Sequence, residues 1–323
     1  MKKPFFAAFA LALGVTLAGC VFINLPHVEP PAEKVIGGQG PDKVAVIDIS
    51  GVIDDEGEKN LLGSETGVNI TARVREELGL AMEDKAVAAL ILRINTPGGA
   101  VTTCDIINHE ITEWKKRKKA PVVAELMDIA ASGGYYVAAA ADRIIAHPTT
   151  VTGSIGVVAF NVNASGLMDK IGITDQTIKS GVNKDIGSPM RPMSDAERKI
   201  LQSVIDDMYE RFLDRIIEGR PGAGFKKEAL RAIADGRIYT APQALDLKLI
   251  DAIGYMDDAV SEAKQAAHIK DATVITYSAP SSYKNNLYSS LAQPMPSTVN
   301  LVNIDGGALR HRFGMSFMYM WRP

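Results

Sequence analysis

Residues 86–100 read Ala86-Val-Ala-Ala-Leu-Ile-Leu-Arg-Ile94 and then, at once, Asn95-Thr-Pro-Gly-Gly-Ala100. A nearly unbroken apolar run of this length is the pattern of a strand buried on both faces, as parallel strands are. The Pro-Gly-Gly behind it is turn chemistry and ends the strand sharply. Next, Ile106, Ile107, Ile111 and Trp114 recur at helical spacing, and Lys115 to Lys119 end that helix with a solvated basic turn that suits its dipole. Contact of this run with anionic lipid is the minor alternative. Upstream, residues 43–53 read as a strand with a glycine break and 54–69 as a polar loop. Val74, Leu78 and Met82 fall on one face of a helix that begins at Thr71.

The strand–turn–helix unit then repeats. Pro121-Val-Val-Ala-Glu-Leu126 is apolar, Met127-Asp-Ile-Ala-Ala-Ser-Gly-Gly134 is the turn, and Tyr135 to Asp142 is an alanine-rich helix former. Short apolar segments follow at 143–146 and 155–158. Alternation of this kind predicts an α/β domain built by repeated crossovers. Ligands of such sheets sit beyond the carboxyl ends of the strands. Gly98-Gly99 and Ser132-Gly133 each follow a strand directly, so both fall on that edge.

Ser132 therefore has two readings. It is either an N-cap whose neighbouring glycines merely permit close packing, or a nucleophile on a tight turn with free backbone donors beside it. The shared sheet edge favours the second.

The chain has 323 residues, 46% of them hydrophobic and 23% charged, with a formal net charge of -3. This is ordinary globular composition and carries no electrostatic footprint for a nucleic-acid partner. Two cysteines, Cys20 and Cys104, give no disulfide framework, and the five scattered histidines have no metal-site spacing.

The N-terminus is a targeting segment. Lys2-Lys3 precedes an apolar stretch that ends Leu17-Ala18-Gly19-Cys20, resembling the lipobox of bacterial lipoproteins, in which the cysteine is acylated. The alternative is an uncleaved anchor continuing to Leu25, just long enough to span. Residues 1–25 are thus a lipoprotein-type signal peptide or membrane anchor. The Pro/Gly-containing 26–42 reads as a linker, 43–280 as the folded domain and 281–323 as a C-terminal extension. In the second half of the domain, Ser194-Asp-Ala-Glu197 is a capping box. It opens a helix of roughly 24 residues, about 36 Å long, with an apolar stripe at Leu201, Val204, Ile205, Met208, Phe212 and Ile216 for core or oligomer contact. Helices at 226–234 and 256–267 and a strand at 272–277 complete the reading.

Six blocks in order resemble the bacterial signal peptide peptidase A family of serine/lysine-dyad proteases, which share the ClpP/crotonase-type fold. The blocks are Arg93-Ile-Asn-Thr-Pro-Gly-Gly99, Ala130-Ala-Ser-Gly-Gly-Tyr-Tyr136, Ala141-Asp-Arg-Ile-Ile-Ala146, Val151-Thr-Gly-Ser-Ile-Gly-Val157, Lys179-Ser-Gly-Val-Asn-Lys-Asp-Ile-Gly-Ser-Pro189 and Asp235-Gly-Arg-Ile-Tyr-Thr240. Thr96 stands where serine is usual, and the lipobox departs from the family's commoner transmembrane anchor. The chain matches the short, single-module form. The resemblance implies an α/β superhelix of repeated β-β-α units with buried sheets and flanking helices. It assigns Ser132 as nucleophile, Lys184 as general base, Ser154 as the group orienting that lysine, and the backbone N–H groups of Gly99 and Gly133 as the oxyanion hole. It further implies apolar peptide substrates such as signal-peptide remnants, a ring-like homo-oligomer, no cofactor or metal, and a catalytic domain outside the cytoplasm, attached to membrane lipid through the N-terminus.

Lys184 must be neutral to accept a proton, which calls for burial in an apolar setting. The neighbouring Asp185 opposes that and is expected to face away, as alternate residues of an extended segment do. Two other readings stay in play. One is a crotonase-like acyl-CoA enzyme, which would need an acidic base and a cytoplasmic address; the other is a non-catalytic peptide-binding scaffold. The end of the chain, Phe313-Gly-Met-Ser-Phe-Met-Tyr-Met-Trp-Arg-Pro323, is too apolar for an exposed tail. It is expected to pack on a neighbouring subunit or, more sharply, to dock near the active site as a substrate mimic.

Overall fold

A computed structural model describes residues 30–55, 69–278, 284–289 and 316–321. In chain order the strands are β1 (Ala32–Gly38), β2 (Asp42–Ser50), β3 (Val87–Thr96), β4 (Gly98–Ala100), β5 (Val122–Ala131), β6 (Arg143–Ala146), β7 (Val151–Gly153), β8 (Val158–Ala159), β9 (Ile238–Thr240), β10 (Ala252–Ile253), β11 (Ala272–Ser278) and β12 (Phe317–Met320). The helices are α1 (Ile70–Glu83), α2 (Val101–Lys118), α3 (Gly133–Ala138), α4 (Ser165–Lys170), α5 (Asp195–Gly219), α6 (Lys227–Ile233), α7 (Ala241–Asp246) and α8 (Met256–Ala266).

The main sheet runs β1-β11-β2-β3-β5-β6-β10, with β7 also paired to β5 and β9 to β7. From β11 across to β10 the neighbours are parallel, so the chain must cross over between strands, and the helices supply the crossovers. Both faces of the sheet are covered. Ile47, Ile49, Leu90, Leu92, Ile94, Val122 and Ala124 point into one apolar cluster with α1, α2 and α3. Their alternates Val44, Val46, Ala89, Ile91 and Val123 join a second cluster with Met256, Ala259 and Ala263 of α8. Each fully buried aliphatic side chain contributes about 1.5–3 kcal/mol relative to exposure, which is why the run at 86–94 has no alternation to read.

Three expectations change. The stretch read as a linker contains β1, which pairs antiparallel with β11 at the sheet edge. An edge strand is held by its backbone ladder, and here only Ile36 is buried, so no apolar period announced it. The segment 155–158 is not a strand of the main sheet; β8 comprises two residues and belongs to a separate three-stranded sheet, β4-β12-β8. Thirdly, the C-terminal extension folds back onto the domain of its own chain. Lys284 is buried, and its ammonium is paired with Asp48. Arg93 Nε donates to the same carboxylate at 2.5 Å, and its Nη groups donate to the carbonyl oxygens of Leu287 and Ser289. Residues 284–289 therefore form a strap pinned on the sheet, and β12 lies beyond it.

Candidate active site

Ser132 ends β5 and opens α3 with φ 52° and ψ −113°. A non-glycine residue in this region costs about 1–3 kcal/mol, and two backbone hydrogen bonds hold it there. Its N–H donates to Gly153 O at 2.7 Å, and its carbonyl accepts from Tyr136 N at 2.9 Å. The side chain is 1% exposed and borders a cavity of about 550 Å³ shared with Ser154, Gly156, Asp206, Tyr209 and Trp321. Ser154 also has a positive φ, 49°, and donates its N–H to Arg237 O at 2.7 Å.

The two glycine turns of the sheet edge meet. Gly98 has φ +101°, and a Cβ there would stand 1.9 Å from Tyr319 O and 2.6 Å from Gly133 N. A Cβ on Gly133 would stand 2.4 Å from Cys104 Sγ and 2.9 Å from Tyr319 O. Neither position accepts any side chain. Thr96 Oγ1 accepts from Gly98 N at 3.0 Å and so fixes the turn, a task that the more usual serine hydroxyl would also perform. Cys104, wholly buried beneath the contact, has its thiol pushed far up by burial and is an inert packing group.

Between β4 and β8 lies β12, antiparallel to both, with Tyr319 opposite Gly99 and Phe317 opposite Ala159. Trp321 N donates to Pro97 O at 2.8 Å. The Tyr319 side chain is fully buried. It stacks on Tyr136, with centroids 4.9 Å apart, and tilts against Phe212 at 4.7 Å; its hydroxyl donates to Met208 O at 2.8 Å. Such ring contacts add about 0.5–1.5 kcal/mol each beyond the area buried. Tyr136 is itself anchored, its hydroxyl donating to Asp105 at 2.5 Å while Arg211 grips the same carboxylate at 2.8 Å.

Ser132, Ser154, Gly99 and Gly133 are thus neighbours or line one cavity. Lys184 is not brought to them. It sits on an exposed turn, and among the described residues its amine has no hydrogen bond or ion pair. The segment is a series of turns rather than the extended run expected, with Lys184 N donating to Gly181 O at 3.0 Å. Asp185 does turn to other partners, namely Lys179 and Arg191. No histidine lines the Ser132 cavity; His147 instead bonds Thr149. The two carboxylates that do line it are engaged elsewhere. Gln202 donates to Asp206 at 2.8 Å, and Arg237 holds Asp235 down at about 2. Among the described residues there is no His/Cys/Asp/Glu group that would hold a metal and no helix long and apolar enough to cross a membrane. Cys20 lies outside the described residues.

Sequence reasoning missed the aromatic seat made by Tyr136, Phe212 and Met208. Phe212 and Met208 were legible as an apolar stripe, but nothing in a stripe says that a distant strand inserts against it.

A match to the family described as Peptidase family S49 spans residues 114–270. A protein of Enterococcus faecium named as a signal peptide peptidase SppA is 37% identical over 268 residues, covering 82% of this chain and 76% of that one. The chain belongs to peptidase family S49. It is a serine protease of the signal peptide peptidase A and protease 4 type, with the ClpP/crotonase-type α/β fold that the six blocks implied. Family membership sets aside the acyl-CoA and scaffold alternatives. Protease 4 of Haemophilus influenzae is 32% identical across 73% of this chain and 36% of its own length. The chloroplastic serine protease SPPA of Arabidopsis thaliana is 33% identical across 78% and 37%. This chain spans little more than a third of those longer relatives. A solved structure of a membrane-bound stomatin-specific protease aligns at TM-score 0.48 and 16% identity, covering 75% of this chain and all of that one.

Because Gly98 and Gly133 touch through backbone, one methyl group separates the two turns. Gly98→Ala is expected to lower kcat/KM on a peptide substrate at least about 100-fold, the scale of losing one oxyanion donor. Activity within threefold of wild type would show that this contact does not shape the site.

Proposed function

We propose that this serine protease is a membrane-attached endopeptidase. It takes an extended apolar peptide as a strand between β4 and β8 and cleaves it with Ser132 as nucleophile and Lys184 as general base. The observation that carries the reading is the seat of β12. A segment of the chain itself lies in the groove as an added strand, the mode by which sheet edges take peptides. It presents the Tyr319 carbonyl to the place where the Gly98 and Gly133 turns meet. A substrate in the same register brings its scissile carbonyl beside Ser132. Phe317, Met318 and Tyr319 fill the seat, which fits apolar peptides such as signal-peptide remnants as the substrate class.

In this mechanism Lys184 removes the Ser132 proton and Oγ bonds to the carbonyl carbon. The resulting oxyanion rests on the N–H groups of Gly99 and Gly133. The amine leaves with the proton, and a water activated by Lys184 hydrolyses the acyl-enzyme. Ser154, on the same cavity as Ser132, orients the lysine amine.

The base must reach the serine, and within one chain Lys184 faces solvent. The segment that carries it also exposes Leu167, Ile171, Ile173, Ile178 and Val182, with Ile178 99% exposed. Exposed apolar side chains gathered on one segment suit a protein contact. The reading is a homo-oligomer, ring-like in closure, in which this face packs on a second copy and delivers Lys184 to that copy's Ser132. That contact takes the amine out of water, as a general base requires. Attachment to membrane lipid is through Cys20, and the domain works in the bacterial envelope, outside the cytoplasm.

Ser132→Ala and Lys184→Ala are each expected to reduce peptide hydrolysis to background. Mixing the two inactive proteins after subunit exchange is expected to restore part of the activity, because some interfaces then hold both native residues. No recovery, with mixed oligomers confirmed by native mass spectrometry, would sink the shared site.

Truncation after residue 315 is expected to raise kcat/KM for an added peptide about tenfold or more, by removing a tethered competitor. An unchanged value would mean that β12 does not occupy the substrate seat.

Mass spectrometry of the mature N-terminus is expected to find diacylglycerol on Cys20. An unmodified, uncleaved N-terminus would replace the lipid anchor with a spanning one.

A further inference from the structure

Lys184 has an awkward neighbour. A carboxylate one residue away favours the ammonium form and would keep the amine protonated at neutral pH. Arg191 removes the difficulty. Its Nε donates to Asp185 Oδ2 at 2.8 Å and its Nη2 to Oδ1 at 2.7 Å, a two-pronged grip on the whole carboxylate. The same guanidinium reaches Glu197, with Nη1 donating to Oε2 at 2.9 Å and Nη2 to Oε1. Lys179 Nζ adds a third hydrogen bond to Asp185 at 2.6 Å.

Glu197 is not a casual partner. It is the third residue of α5 and closes the capping box, its carboxylate accepting from Ser194 N at 2.9 Å while Ser194 Oγ accepts from Glu197 N at 3.2 Å. One face of Arg191 therefore holds the turn that bears Lys184, and the other holds the first turn of a 25-residue helix. Backbone bonds tighten the same turn: Ser188 N donates to Asp185 O at 3.0 Å, and Ala164 N to Pro189 O at 2.7 Å.

We infer that Arg191 is a positioning residue for the general base: it fastens the Lys184 turn to the N-terminus of α5 and turns the Asp185 carboxylate away from the Lys184 amine. The inference rests on the reading of Lys184 as base. The charged groups around the turn are Lys179, Asp185 and Arg191 on the segment itself and Glu197 on α5. Two cations and two anions make this cluster neutral overall. Hydrogen bonds from Arg191 and then Lys179 hold the Asp185 carboxyl far below the usual carboxylate range, so it stays a committed anion throughout the working pH range. Glu197, gripped chiefly by Arg191, is held down at about 2. A lysine ammonium would not reproduce this grip, because two parallel N–H donors on one carboxylate need the planar guanidinium fork.

The test is the acid limb of kcat/KM against pH, which reports the base of the free enzyme, measured on the full chain. Freeing Asp185 leaves an unpaired anion beside the base, which favours the ammonium, so activity is lost at higher pH. Arg191→Gln is expected to move the limb up by about one unit, which is about a tenfold loss at a fixed pH on the limb. Adding Asp185→Asn to that variant is expected to bring the limb back. Asp185→Asn alone removes an anion and leaves Lys179 and Arg191 facing Glu197, so it is expected to move the limb down, not up. This single variant keeps the test open should Arg191→Gln misfold, as judged by circular dichroism. A limb unmoved in Arg191→Gln, or moved but not returned by the second change, overturns the inference while leaving the dyad intact provided Lys184→Ala is inactive. An upward shift in Asp185→Asn alone overturns it as well. Full activity in Lys184→Ala overturns the base assignment itself and the inference with it.

Discussion

The structure turns on a contact between two backbones. The Gly98 turn and the Gly133 turn approach until neither can carry a Cβ, and the carbonyl of Tyr319 fills the remaining space. Everything that positions the site serves this approach. The parallel pairing of β3 with β5 brings the two strand ends to one edge. Thr96 pins one turn. The strained backbone of Ser132, held by Gly153 and Tyr136, pins the other. Strain of this kind persists only where the surroundings over-determine it, and here a fully buried sheet and the α3 junction do so.

Much of this was readable in the residues. The run at 86–94 had to be a strand buried on both faces, because Val87, Leu90, Ile91, Leu92 and Ile94 cannot otherwise all leave water. The glycines behind it and behind 122–131 had to share an edge because parallel strands begin and end together. Ser132 was visible as soon as that edge was drawn. The short edge strand β1 was not, since ladder hydrogen bonds leave no apolar signature. Nor was the turn at 181–188 legible as a turn, and its geometry matters more than its composition.

The least legible part of the site was its aromatic seat. Tyr136 belongs to a helix next to Ser132, Phe212 and Met208 to α5, and Tyr319 to the chain terminus, so their meeting spans most of the sequence. Long-range contacts of this kind are decided by packing of whole elements, not by local propensity. Asp105 and Arg211, which hold Tyr136 in place, gave no signal at all: each reads as an ordinary surface charge on an amphipathic helix. The exposure of Lys184 is a different matter. Among the described residues Lys184 is exposed and unpaired, and Ile171, Ile173 and Ile178 on the same segment are exposed with it.

The strap at 284–289 changes how the groove is contested. Its root is held on the sheet by Lys284 and by the two carbonyl oxygens that Arg93 grips, so the C-terminal strand is moored to the sheet of its own chain. A moored strand returns to its berth as a first-order event, at an effective concentration on the order of millimolar. Diluting the protein does not clear the groove. If peptides enter between β4 and β8 as proposed, each meets a rival whose concentration is written into the chain.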